Sequence, residues 1–243
     1  MTLDLNSSRT MGGLLGELID RAVEAREAKE SPREYLGASI LGGPCDRAIQ
    51  YQYFNAPKDR PFSGRILRIF ERGNMGEAAL TDWLRLAGFD LSTRKDSGSQ
   101  YGFIAADGDF RGYCDGVFRG GPEEFAPWPR LWECKVLGAK GWGKLSREKL
   151  HKAYPHYYAQ VQIYMAYLHL DDNPAIFTAL NADTQEIYTE LVAFDAQEAQ
   201  RISDRAVNIL RACRAGDLLP RAFKSQDFFE CKYCDYNVRC WKE

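Results

Sequence analysis

Arg130-Leu131-Trp132-Glu133-Cys134-Lys135-Val136-Leu137 is the stretch whose reading decides the fold. It is short and mostly apolar, lies between Pro129 and Gly138, and predicts a buried strand. Residues i and i+2 of a strand point to the same side. Glu133 and Lys135 therefore share one face, and Trp132, Cys134 and Val136 the other. Upstream, Phe110-Arg111-Gly112-Tyr113-Cys114-Asp115-Gly116-Val117-Phe118 predicts a second strand with Asp115 near its centre. The segment between the two, with Gly120, Gly121, Pro122, Pro127 and Pro129, predicts a turn, so the pair forms a hairpin with an acid on each arm.

A lone Glu-x-Lys is common, and its plain alternative is a solvated ion pair on an edge strand. Two carboxylates and a lysine also suit metal-assisted hydrolysis of a phosphodiester. A divalent cation held by the acids can polarise a phosphate and lower the pKa of a bound water from about 15.7 toward neutrality, while an ammonium orients that water.

Cysteine supplies a second constellation. Cys231 and Cys234, then Cys240, give C-x2-C-x5-C, and Cys45 lies far upstream in Gly43-Pro44-Cys45-Asp46-Arg47. Four thiolates can hold one zinc ion or an iron-sulfur cluster. Of the seven cysteines, Cys114, Cys134 and Cys213 fit as small core residues. The C-terminal three lie among Lys232, Tyr233, Asp235, Tyr236, Asn237 and Arg239, a setting that a core does not explain. Joining Cys45 to Cys231 closes a loop on the order of two hundred residues at a cost of about 4–5 kcal/mol. A structural metal site contributing about 10 kcal/mol or more offsets that cost.

The 243 residues, 45% of them hydrophobic, suit one or two domains with a sizeable core, and no apolar run approaches the length of a membrane span. Met1-Thr2-Leu3-Asp4-Leu5-Asn6 lacks the basic and apolar regions of a secretory signal. An odd cysteine count with C-x2-C spacing points to a reducing, cytoplasmic compartment. A net charge of -2 argues against a generic electrostatic nucleic-acid binder, so any such contact needs a local patch. From Gly138 to Lys152 the chain carries Lys140, Lys144, Arg147, Lys149 and Lys152 against the single acid Glu148, with Trp142 among them. The bases suit phosphate contacts and the indole suits stacking; the alternative is a solvated loop leading into a helix.

The remaining pattern predicts helices over Leu14 to Lys29, Tyr35 to Phe54 with a break at Gly42-Gly43-Pro44, Gly64 to Ala87, Tyr154 to Leu170 and Ala196 to Ala215. Further strands are predicted near Gln100 to Ala106, Ala175 to Asn181 and Glu186 to Phe194. The class is α+β: one mixed central sheet with helices packed on it, plus a helical, cysteine-bearing flank.

Taken in order, Arg72-Gly73-Asn74-Met75-Gly76-Glu77, Gly112-x-x-Asp115-Gly116, Glu133-x-Lys135 and Tyr157-Tyr158-Ala159-Gln160-Val161-Gln162-Ile163-Tyr164 resemble the motifs of the PD-(D/E)XK nucleases. The first and last of these resemble the lambda-type (YqaJ) phage recombination exonucleases. Cys45 with Cys231, Cys234 and Cys240 resembles the iron-sulfur nucleases of the RecB and AddB group and the CRISPR-associated exonucleases; where those often place a histidine on the first helix, this chain has Glu77.

The resemblance implies a single restriction-endonuclease-like domain over 1–243, with a nuclease core at about 64–194 and a cluster-binding flank formed by about 35–60 and 216–243. It implies Mg2+ or Mn2+ held by Glu77, Asp115 and Glu133 with the Cys134 carbonyl as a further ligand, and Lys135 positioning the attacking water. Gln160 and Tyr164, four apart on a helix, would face the active site and the DNA. Solvent exposure is the alternative for Gln160 and Gln162. Arg72 joins the basic segment as a DNA contact, and His151 and His156 lie beside that segment. The cysteines would hold a [4Fe-4S] cluster, with zinc compatible with the same spacing. The implied activity is a metal-dependent DNA exonuclease acting on single strands or duplex ends in recombination, repair or CRISPR adaptation, alone, as an oligomer or with a partner protein of those pathways. The alternatives are a nucleic-acid binding or assembly factor with a vestigial nuclease site, and a structural zinc protein.

Overall fold

Strand β6 (Arg130–Leu137) lies at the centre of a five-stranded sheet in a computed structural model that describes residues 11–242. The reading of Met1 to Asn6 lies outside the described residues. In chain order the elements are α1 (Met11–Glu27), β1 (Leu36–Gly37), α2 (Asp46–Tyr53), α3 (Gly64–Leu86), β2 (Asp90–Ser92), β3 (Gly102–Ala105), β4 (Phe110–Tyr113), β5 (Gly116–Gly120), β6, α4 (Ala139–Ala153), α5 (Pro155–Leu168), β7 (Ala175–Asn181), β8 (Ile187–Val192), α6 (Ala196–Ala215), α7 (Phe229–Lys232) and α8 (Asn237–Lys242).

The large sheet runs β2-β5-β6-β7-β8. β5 and β6 pair antiparallel as the predicted hairpin, whereas β6 and β7 are parallel and joined by α4 and α5, because a parallel pair needs a long crossover. Arg130 opens β6 with its side chain buried. Its guanidinium is satisfied by the carbonyls of Phe125, Ala126, Pro127 and Pro174, which closes the proline-rich loop onto the sheet. One face of the sheet is covered by α3: Leu80 meets Leu91, Phe118, Trp132, Cys134 and Ile176. On the other face Leu145, Leu150, Val161, Ile163 and Met165 of α4 and α5 join Leu131, Phe177 and Ala179, and α6 lies outside α5. Cys114, Cys134 and Cys213 are buried, as core residues should be.

Three expectations are corrected. Phe110 to Phe118 is not one strand: it breaks at Cys114-Asp115, and β4 belongs to a separate three-stranded sheet, β1-β4-β3. The single mixed sheet is therefore two, and Asp115 stands where the chain passes from one to the other. Tyr35 to Phe54 is helical only in its second half. Leu36-Gly37 pairs in parallel with Phe110-Arg111 before a 3-10 turn at Ala38–Ile40, since burying Leu36 against Phe110 needs an edge pairing that local periodicity does not encode. The basic segment is helix almost from its start, α4 beginning at Ala139, and its one non-helical residue is Lys149 at φ 66°.

Two glycines of α3 have opposite roles. A methyl group at Gly76 would lie 2.6 Å from Val136 Cγ2 and 3.3 Å from Leu180 Cδ2, so the helix approaches the sheet as closely as only glycine permits; at Gly73 nothing lies within 4 Å. Val136 is β-branched and stiff in its strand, so it yields poorly. Gly73→Ala is expected to stabilise the protein by about 0.5–1 kcal/mol, and Gly76→Ala to destabilise it by about 1–3 kcal/mol. Denaturant midpoints of the two variants decide the matter, and equal shifts of one sign would contradict this packing.

Candidate active site and cysteine pocket

Glu133 is fully buried at the middle of β6, a position that a carboxylate occupies only with partners. Its Oε1 accepts from Gln160 Nε2 of α5 at 2.6 Å and from the Lys135 ammonium in a short contact. The other oxygen, Oε2, has no hydrogen-bond partner among the described residues. The Gln160 amide also reaches the Tyr164 hydroxyl at 3.3 Å, one helical turn on. Gln160 and Gln162 are both buried rather than solvent-facing, with different duties. Gln162 donates to the Ala193 carbonyl and accepts from the Asp195 N–H, fixing α5 to the start of α6.

Across the hairpin, Asp115 Oδ2 accepts from the Cys134 N–H at 2.7 Å, which locks the acid beside β6 at the chain break. Glu77, half-buried on α3, shares with Asp115 a polar cavity of about 530 Å³. Burial and then the charge of Asp115 push the Glu133 carboxyl up to about 8, and the same two causes push Glu77 up to about 7. Asp115 is also raised, by burial, against the opposing pull of Lys135 and the Cys134 N–H. Burial works against the charge of Lys135, yet Glu133 and Asp115 hold its pKa above the ordinary lysine range. Its ammonium also lies 5.2 Å from the centre of the Tyr157 ring.

Three acids that disfavour one another's charge and a buried oxygen without a donor form a donor set suited to a hard divalent cation, which takes oxygen ligands. Among the described residues, no three His, Cys, Asp or Glu side chains are already drawn together at ligand spacing. Cys134 contributes its backbone N–H to Asp115, and its side chain lies buried in the core under α3.

Of the basic candidates, Arg72, Lys140, Lys144, Arg147, Lys149 and Lys152 are all exposed. Lys144 donates to the Ala153 carbonyl and lies over the Tyr154 ring, and Lys149 lies over Tyr188. Trp142 is half-buried, packs on the core and donates its indole N–H to the Ala179 carbonyl. His151 stacks on Tyr158. His156 lies against Tyr157, and burial followed by Lys135 and Lys144 lowers its pKa.

Cys45, immediately before α2, and Cys231, Cys234 and Cys240, around α7 and α8, line a single cavity of about 400 Å³ with Phe229 and Trp241. Burial, then the neighbouring thiols Cys45 and Cys240, raises Cys231; burial and, more weakly, the same two thiols raise Cys234. The segment after α2 is also tied to the C-terminal residues by polar contacts: the Asp59 carboxylate accepts from the N–H groups of Val238 and Arg239, and Lys58 pairs with Asp235.

Sequence reasoning missed the part of the cavity beside Glu77 and Asp115 that Thr93, Arg94 and Gln100 build. Arg94 and Gln100 form a bridge at the base of a tight turn. The composition Lys95-Asp96-Ser97-Gly98 signals a turn, but nothing local shows that it closes over α3.

No protein-family model matches the chain, and neither does any curated protein. Among solved structures, SSO0001 aligns with 93% of this chain and 96% of its own at 16% identity and a TM-score of 0.52. An alkaline exonuclease (LHK-Exo) from Laribacter hongkongensis aligns with 82% of this chain and 93% of its own at 15% identity and a TM-score of 0.52. Its complex with dAMP gives 83%, 93%, 15% and 0.51. The chain shares the fold of these proteins, a mixed α+β arrangement with helices on both faces of the larger sheet. Among the described residues no helix is long and apolar enough to cross a membrane.

Proposed function

We propose that this protein is a metal-dependent deoxyribonuclease acting on DNA ends, with Glu77, Asp115 and Glu133 as the residues that would hold Mg2+ or Mn2+. The observation that carries this reading is the buried Glu133, one oxygen held by Lys135 and Gln160 and the other left without a donor, beside two further acids. When bound, the cation supplies Lewis acidity toward a phosphate oxygen and an acidified water. Lys135 orients the nucleophile and neutralises charge, and Gln160, steadied by Tyr164, keeps Glu133 turned toward the site. A likeness of fold to an alkaline exonuclease agrees with this reading. The test is incubation with linear and circular DNA in Mg2+, Mn2+ or EDTA. Stepwise shortening of linear DNA that EDTA abolishes is expected, and cleavage that persists in excess EDTA would overturn the proposal.

The cysteine pocket is part of the same proposal: Cys45, Cys231, Cys234 and Cys240 fit a [4Fe-4S] cluster that holds the chain ends together, with zinc as the alternative occupant. The support for it is that the four thiols line one cavity, although they are not drawn together at ligand spacing.

A pH signature follows from the acids. Their folded pKa values, about 8 for Glu133 and about 7 for Glu77, lie above the ordinary value of 4.5. The metal-free fold therefore keeps protons that the unfolded chain releases. That contribution to stability is complete below the unfolded pKa and is lost as pH rises through the folded values. In EDTA the melting temperature is expected to fall between about pH 5 and about pH 8, with Mg2+ recovering more of it at the upper end and Glu133→Gln flattening the fall. A melting temperature that rises across this window would contradict the assignment.

The basic face of α4 is expected to contact phosphates. Reversing Lys144 and Arg147 to Glu should weaken DNA binding equally for all sequences and lower the log-log salt slope by about 0.7–0.9 per lost contact. Unchanged affinity and slope would make α4 an ordinary solvated helix.

A further inference from the structure

Asn74 and Glu77, one helical turn apart on α3, line the 530 Å³ cavity together with Asp115 and with Thr93, Arg94 and Gln100 of the segment after β2. Its size falls in the range of small-ligand pockets, roughly 300–1,000 Å³. Two arginines border it, with different freedom. Arg85 is committed to its own surroundings, its Nε donating to the Leu91 carbonyl and its fork lying beside Asp82. Arg94 is tethered at one nitrogen, Nη1 donating to the Gly98 carbonyl at 2.9 Å, and has no acidic partner among the described residues. The turn that carries it is braced by Lys95 N–H to the Ser99 carbonyl and Gly98 N–H to the Lys95 carbonyl, both 2.8 Å, and by the bridge from Arg94 to Gln100. A guanidinium on a braced turn, lining the same polar cavity as two metal-binding candidates, is suited to an anion, because its fork matches phosphate oxygens. The side-chain amides of Asn74 and Gln100 add donors and acceptors without charge.

We propose that this cavity seats the nucleotide flanking the scissile phosphate of a DNA strand, with Arg94 as its phosphate-binding residue. The proposal rests on the hydrolytic reading above and adds to it the wall of the site on the side away from α4. Glu77 and Asp115 would hold a cation at the cavity that Arg94 also lines, and Arg94, with one nitrogen on the Gly98 carbonyl and no acidic partner among the described residues, would take a neighbouring phosphate of the strand.

The test separates binding from cleavage. In an Asp115→Asn background, affinity for a fluorescein-labelled duplex with phosphorylated ends is measured by anisotropy across a salt series. Arg94→Gln is expected to lower affinity about tenfold and to reduce the log-log slope by about 0.7–0.9. Arg94→Lys, which keeps the charge but loses the fork, should restore the slope and only part of the affinity. Lys95→Gln on the same turn, whose ammonium is occupied by the Gly102 carbonyl, should change neither. In the active protein Arg94→Gln should raise KM and leave kcat near the parent value. If Arg94→Gln leaves affinity, slope and KM unchanged while the protein cleaves DNA, the seat is wrong and the nuclease reading stands. If the parent cleaves no DNA in Mg2+ or Mn2+ yet Arg94→Gln still weakens binding, the hydrolytic reading fails and with it the seat beside a scissile bond, and Arg94 is a phosphate contact of a DNA-binding protein.

Discussion

Asp115→Asn and Glu133→Gln are each expected to lower DNA hydrolysis on the order of a thousandfold or more while circular dichroism and melting stay close to the parent. Both changes preserve shape and remove the negative charge on which a cation depends. The fold is expected to tolerate them for reasons visible at each residue. An asparagine oxygen can still accept the Cys134 N–H that Asp115 now holds, and a glutamine at 133 can still accept from Lys135 and Gln160 at Oε1. With burial and Asp115 raising Glu133 to about 8, the metal-free protein already tolerates a neutral group at this position. Alanine at either position is a poorer probe, since it opens space in a buried wall. Lys135→Ala should retain DNA binding and lose turnover, because its ammonium acts at the reacting phosphate. Retention of full activity in Glu133→Gln would remove the site from consideration.

Cys45→Ser and Cys231→Ser are expected to produce the largest losses of stability. A structural metal site stabilises by about 10 kcal/mol or more, and this one would join α2 to the C-terminal helices across most of the chain length. Protein purified without oxygen should be brown, with iron and sulfide, and either variant should bleach it and lower the melting temperature steeply. Cys213→Ala is the comparison: that thiol is buried in α6 within the main core, away from the cavity, so its loss costs about 1 kcal/mol and leaves the colour intact. A colourless protein with stoichiometric zinc would replace iron by zinc in the same pocket, and a protein without either metal whose cysteine variants melt normally would leave the C-terminal segment held by contacts such as those of Asp59, Lys58 and Gln50.

Much of the architecture was legible because it depends on local periodicity. The runs Arg130–Leu137, Ala175–Asn181 and Ala196–Ala215 were read from sequence with the boundaries they have in the structure. α3 was likewise legible, running from Gly64 to its end next to Gly88, whose φ of 91° suits glycine. The shared face of Glu133 and Lys135 needed only the two-residue repeat of a strand. β2 was missed because three residues after a helix leave no pattern to count, and β1 because its two residues are held by pairing with β4.

What the sequence determined by itself is the set of chemical groups and their local spacing: an acid and a base two residues apart on a buried strand, an acid beside a glycine, a glutamine one turn from a tyrosine, and cysteines at C-x2-C-x5-C. The tertiary structure alone decided which of these meet. Asp115 reaches the Cys134 N–H only because the chain changes sheets at Cys114, and Glu77 approaches Asp115 only because Gly76 lets α3 close on Val136. Cys45 joins the C-terminal thiols at one cavity by packing of α2 on the C-terminal segment, and Arg94 comes to line the cavity of Glu77 and Asp115 through the folding of one turn. Each meeting depends on contacts between residues far apart in the chain, whose free energy comes from burial and pairing, and local propensity carries no record of them.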